Sequence, residues 1–158
     1  MFLTRICAAL EEVNISYAII GGYAVALHGA VRGTIDLDLA IALELNAFIK
    51  VEKVLLKLGL RSRLPVSADQ VFSFRKEYIE NRNLIAWSFY DPAHPAHEVD
   101  IIITEDASRI KVKSIRIRGV RVKIAAISDL IRMKMRSGRP QDLEDVKALK
   151  ELSKVEKK

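Results

Sequence analysis

The sequence predicts an α+β domain, a mixed sheet with helices packed around it and two helices closing the chain. Three observations carry this prediction. Apolar residues recur at helical spacing near both ends, and short β-branched runs concentrate between them. The chain has 158 residues, half of them hydrophobic, which is enough for one real core and leaves little room for a second. We therefore expect one domain over residues 1–152 and a short basic tail over 153–158.

The elements follow in chain order. Phe2, Ile6, Leu10 and Val13 share one face of a first helix. Residues 16–20 form a short apolar strand that stops at Gly21-Gly22, and the good helix formers of 23–29 make a second helix ending in glycine. Residues 35–43 alternate and then turn wholly apolar, as a central strand does. A helix is expected over 46–58, with Asn46 as N-cap and Gly59 just past its end. Residues 71–74, 84–90 and 98–104 and a pair of segments around Gly119 read as further strands. Ser128 is expected to cap another helix, which Gly138 breaks, and Pro140 suits the first position of the last one.

Composition narrows the function classes. The single cysteine, Cys7, excludes an internal disulfide framework and suits a reducing, cytoplasmic location as a small buried hydrophobe. Residues 13–31 lack formal charge, but Asn14, Ser16, Gly21, Gly22 and His28 make them a poor bilayer span, so no membrane partner is expected. His28 reads as a structural histidine. The net charge of +6 is unevenly placed. Between Arg109 and Arg139 there are eleven bases and one acid, Asp129, whereas the rest of the chain carries −4. Such a basic segment suits a polyanion partner, nucleic acid or nucleotide phosphate, although the alternation of its first half also describes a solvated hairpin.

Asp36 and Asp38 are one residue apart on a predicted strand, so both carboxylates leave the same face. Two such charges repel unless a cation lies between them or one is protonated, and Mg²⁺ is the natural hard cation for oxygen donors. Gly21-Gly22 ends a strand and opens a helix, where a phosphate can approach free N–H groups. Asp100 supplies a third acid within a strand of apolar residues. His94 and His97 have zinc-ligand chemistry, but Pro92 and Pro95 place them in an expected loop with no fourth ligand. Asp36-Leu37-Asp38 also brings the haloacid-dehalogenase phosphatases to mind, but Ala40 stands where their threonine is expected.

Gly21-Gly22, thirteen residues, Asp36-Leu37-Asp38 and the later Val99-Asp100-Ile101 together resemble the nucleotidyltransferase superfamily that includes DNA polymerase β. Residues 19–38 resemble its compact bacterial group, which contains the abortive-infection (type IV toxin–antitoxin) nucleotidyltransferase toxins. Residues 130–146, with Lys134, Arg139 and Asp142, resemble that group's second block. The resemblance implies a mixed, curved sheet of nucleotidyltransferase type. It also implies transfer of a nucleoside monophosphate from a nucleoside triphosphate to a hydroxyl, with release of pyrophosphate. Asp36, Asp38 and Asp100 would be catalytic and would hold two Mg²⁺ ions, for which Mn²⁺ can substitute. Gly21, Gly22, Arg32, Thr34, Lys134, Arg139 and Asp142 would bind the nucleotide, with Asp142 either orienting Lys134 or touching the nucleotide itself. The acceptor is left open between an RNA 3′ end, a protein side chain and a small molecule, with the basic segment leaning toward RNA. A cognate antitoxin-like protein is a further implied partner. The competing reading is a catalytically inactive module of the same fold that only binds nucleotide or nucleic acid.

Overall fold

A computed structural model describes residues 1–33 and 36–156 of the chain. Thr34, expected at the nucleotide, and Ile35, expected to open a strand, lie outside the described residues. The elements run α1 (Phe2–Glu12), β1 (Tyr17–Ile20), α2 (Gly21–Leu27), β2 (Asp36–Ile41), α3 (Leu45–Lys57) and β3 (Arg61–Ser62). They continue with α4 (Ala68–Ser73), α5 (Arg75–Arg82), β4 (Ala86–Asp91), β5 (His94–Asp106), β6 (Val112–Ile117), β7 (Val120–Ala125), α6 (Ile127–Ser137) and α7 (Pro140–Glu156). A single 3₁₀ turn, Ala107–Arg109, follows β5. No helix among the described residues is long and apolar enough to cross a membrane.

The strands form one open, mixed sheet in the order β3-β4-β5-β2-β1-β7-β6. Neighbours β1 and β7, and β2 and β5, run parallel, whereas β1–β2, β3–β4, β4–β5 and β6–β7 run antiparallel. The α+β class and the two closing helices are therefore as expected. Leu37, Phe89 and Val99 are fully buried on one face of the central strands. Phe48 from α3 stacks on Trp87 at 5.7 Å between ring centroids, and Trp87 meets Phe89 edge-on at 4.8 Å. Each such ring removed from water stabilises the fold by roughly 1.5–3 kcal/mol, plus a smaller geometric contribution between rings. Helix α1 places Leu3, Ile6, Cys7 and Leu10 in the same core, packing against β7 and α3. Burial pushes the Cys7 thiol up to about 11, which leaves it a poor nucleophile.

Several expectations differ from the structure. Residues 71–74 are not a strand: α4 covers Ala68–Ser73, begun by a capping box in which the Ser67 hydroxyl accepts from the Gln70 N–H and the Gln70 side chain accepts from the Ser67 N–H. A four-residue apolar run cannot separate the two states, and the cap decides for helix. Helix α5 was not expected from sequence: it buries no residue fully and packs on the core only through the partly buried Tyr78 and Ile79. Helix α3 begins at Leu45 with Glu44, not Asn46, at the cap position, and α6 begins at Ile127 after Ala126, not Ser128. Neither has a side-chain cap. His94 and His97 stand in β5, because Pro92 and Ala93 close a tight hairpin and the strand starts immediately after it. Helix α7 continues through Glu156, into the segment expected as a tail. Gly138, with φ 64°, ends α6 as expected. His28 at the end of α2 bonds through Nε2 to the Ala125 carbonyl at 2.8 Å, a structural role.

Candidate active site

Strand alternation turns the odd and even residues of β2 to opposite faces. Leu37 and Leu39 enter the core, while Asp36 and Asp38 face outward. The register then builds two polar rows across the sheet. Ser88 of β4, Asp100 of β5, Asp38 of β2 and Ile20 of β1 form one row. Tyr90, Glu98 and Asp36 form the next. One carboxylate oxygen from each of Asp36, Glu98 and Asp100 lies within 4.8 Å of the others. Two of the three sequence-predicted acids, Asp36 and Asp100, thus share one cluster with Glu98, which spacing alone did not single out, while Asp38 lies opposite Asp100 in the register, beside that group.

Packing makes this cluster electrostatically costly. Burial pushes the Asp38 carboxyl up to about 7, helped by the neighbouring charges of Asp100 and Asp36 and opposed by Lys134. Asp100 is raised by burial, against a hydrogen bond from Ser88, and Asp36 is raised by burial and by Glu98. Glu98 is held from its other side by an ion pair with Arg63, whose guanidinium stacks 4.7 Å above the Tyr90 ring. Asp100 Oδ1 is buried and has no hydrogen-bond partner among the described residues. Crowded hard oxygens, raised carboxyl pKa values and an orphaned carboxylate oxygen are the conditions that a divalent cation relieves, so the donor set fits Mg²⁺ or Mn²⁺.

Gly21 is required here by geometry. Its φ is +68°, and a Cβ placed on it would lie 2.1 Å from Asp38 Oδ2. The glycine therefore lets the chain turn hard against the Asp38 carboxylate. Gly22 follows it in the first turn of α2.

Beside Asp38 opens a cavity of about 320 Å³. Ile20, Gly21, Ile102 and Thr104 line it from the sheet, and Met133, Lys134, Arg139 and Asp142 from the closing helices. Lys134 is nearly buried, with Nζ 2.9 Å from Asp145 and 3.3 Å from Asp142. Asp142 also accepts from Arg139 Nε at 2.9 Å; although burial opposes it, this bond and the Arg139 backbone N–H hold its carboxyl below the usual range. Arg32 reaches across from the loop after α2 to Asp145 at 3.1 Å. Three cations and two buried carboxylates thus form one network, of which Lys134, Arg139 and Asp142 line the cavity. Asp142 contacts Lys134 directly, as the orienting role would require. Asp145, which pairs with both Lys134 and Arg32, is not among the residues expected from sequence.

Comparison with known proteins agrees with this fold. No family model matches the chain, and no curated protein matches it by sequence. Among solved structures it is similar to an antigenic nucleotidyltransferase-like protein from Paracoccidioides brasiliensis, with 21% identity and a TM-score of 0.59 over 93% of this chain and 72% of that one. The antibiotic-resistance factor ANT(2'')-Ia aligns over 94% of this chain and 80% of its own, with a TM-score of 0.63 and 15% identity. The lincosamide antibiotic adenylyltransferase LnuA, bound to lincomycin, covers 90% of each chain with a TM-score of 0.53 and 14% identity. At such identities the likeness is one of fold. The chain has the nucleotidyltransferase fold, and the structures it resembles include antibiotic adenylyltransferases.

Proposed function

We propose that the protein is a Mg²⁺-dependent nucleotidyltransferase that moves a nucleoside monophosphate from a nucleoside triphosphate to a hydroxyl of a second molecule and releases pyrophosphate. The observation that carries this reading is the parallel register of β2 and β5, which sets Asp38 beside Asp100 and Asp36 beside Glu98 at the edge of a cavity lined by Lys134 and Arg139. Asp36 and Asp100, clustered with Glu98, would hold the metal together with Asp38, which lies opposite Asp100. When bound, the ions would lower the pKa of the acceptor hydroxyl and neutralise charge on the triphosphate.

The protein's own groups do the rest. Gly21 and Gly22 let the triphosphate approach backbone N–H groups without a side chain intervening. Lys134 offers a point charge fixed by Asp142 and Asp145, and Arg139, largely exposed, offers a forked contact to phosphate oxygens. Arg32 supports the network through Asp145. Ile102 and Met133 supply apolar surface for the nucleoside.

The test uses purified protein, Mg²⁺, each labelled nucleoside triphosphate in turn, and cellular RNA and protein as acceptors. Asp36→Ala/Asp38→Ala runs alongside. Label appearing in an acceptor with wild type and not with the variant is the expected result. Triphosphate binding without any transfer would leave the inactive binding module as the correct description.

A further inference from the structure

A second cleft, of about 540 Å³, opens at the far end of β5. Four arginines line it: Arg75 at the start of α5, Arg109 in the 3₁₀ turn, and Arg132 and Arg136 one turn apart on α6. Two of them are held in place. Arg75 donates to the Ile103 carbonyl at 3.0 Å, and Arg132 pairs with the buried Glu105 at 3.2 Å. Asp106 spends its carboxylate on the Ser108 hydroxyl and N–H and on the Leu43 N–H. Arg136 has no ion pair among the described residues. Against two acids the cleft keeps a charge of +2, presented by guanidiniums whose planar forks suit phosphate oxygens.

The cleft shares Thr104, Glu105 and Arg136 with the cavity beside Asp38, so one ligand can lie in both. Asp100, Ile102 and Thr104 point from the same face of β5, and Thr104 lies four residues beyond Asp100, about 13 Å along the strand. That is the reach of two or three nucleotide units, or of one phosphorylated small molecule.

The basic hairpin of β6 and β7 is placed differently. β6 lies three strands from β2, about 14 Å away, at the opposite edge from β4. Two of its charges are already paired, Lys113 with Glu156 and Lys123 with Glu11.

Resting on the nucleotidyltransferase reading, we propose that this arginine cleft binds phosphate groups of the acceptor, so that the acceptor is a phosphate-bearing molecule. A polyamine acceptor would be repelled there.

The experiment measures metal-independent binding in chelator, using a fluorescent single-stranded oligoribonucleotide and inorganic tripolyphosphate as probes. Wild type should bind with strong salt dependence. Arg109→Glu/Arg136→Glu should weaken binding at least about tenfold and flatten the salt slope by about one or two units. The hairpin pair Arg116→Glu/Arg121→Glu should change it by less than about twofold. Binding of tripolyphosphate alone, lost in the cleft variant, supports the site and assigns it to a small phosphorylated acceptor. Loss in the hairpin pair but not the cleft pair, or no binding of either probe to wild type, overturns the proposal. Calorimetry with Mg²⁺ and nucleoside triphosphate is run separately on wild type and Arg109→Glu, which should agree. Failure of wild type there would sink the catalytic reading and leave the cleft result standing, whereas normal nucleotide binding with an inert cleft would sink the cleft alone.

Discussion

The carboxylate cluster should make the metal-free protein less stable than its neutralised variant, and Asp38→Asn is the perturbation that shows it. In the folded protein the Asp38 carboxyl is raised from 3.8 to about 7 by burial and by Asp100 and Asp36. A group with a raised folded pKa binds its proton more tightly when folded than when unfolded. Stability therefore falls as pH rises from about 4 and reaches its minimum above about 7. Three units at 1.36 kcal/mol each set an upper bound of about 4 kcal/mol at pH 8. Asp36 and Asp100 stay in place and take up part of the proton that Asp38 held, so we expect about half, ~2 kcal/mol. For a chain of this size that is a rise in Tm of roughly 4–8 °C. The assay is a thermal melt of both proteins in chelator, at pH 8 and at pH 4. Asp38→Asn should melt higher at pH 8, and the gap should close at pH 4. Mg²⁺ at pH 8 should raise the wild-type Tm by more than it raises that of the variant, which keeps Asp36, Glu98 and Asp100. A variant that melts at or below wild type at pH 8, or a gap insensitive to pH, would refute the electrostatic account of the cluster.

Two further substitutions test the supports of the site. Lys134→Met leaves Asp142 and Asp145 buried with Arg139, Arg32 and the Gln141 amide to face them, and should cost about 3 kcal/mol in urea unfolding; a loss below about 1 kcal/mol would mean that Lys134 does not organise the network. Gly21→Ala should cost about 2–3 kcal/mol, from its left-handed φ and from the contact with Asp38 Oδ2. Adding Asp38→Ala to it should recover the steric part and leave about 1 kcal/mol, so strict additivity of the two changes would contradict the close approach.

The parts of the site that were legible in sequence are those encoded by local geometry. Asp36 and Asp38 share a face because strand side chains alternate, and that holds whichever strand lies beside them. The role of Glu98 depends on β2 and β5 pairing in parallel with Asp36 opposite it, a register no local pattern announces. Lys134 stood out only through the resemblance of residues 130–146, and its burial is decided by α7 folding back to bring Asp142 and Asp145 against it. The basic segment of 109–139 was visible as charge, but its division between an edge hairpin and an arginine cleft that recruits Arg75 from outside it is a tertiary property. Among the elements, β5 was underestimated because prolines near its start suggested a loop, and α4 was misread because its apolar run was too short to show a period.

The central claim is that the β2–β5 carboxylates support nucleotidyl transfer, and the position of the label in the triphosphate tests it most directly. The transfer assay is run twice in parallel, with label in the α-phosphate and with label in the γ-phosphate. The account predicts that α-label enters the acceptor while γ-label leaves as pyrophosphate, in wild type and not in Asp36→Ala/Asp38→Ala. Label from the γ-position in the acceptor, or equal transfer by wild type and the variant, would contradict it.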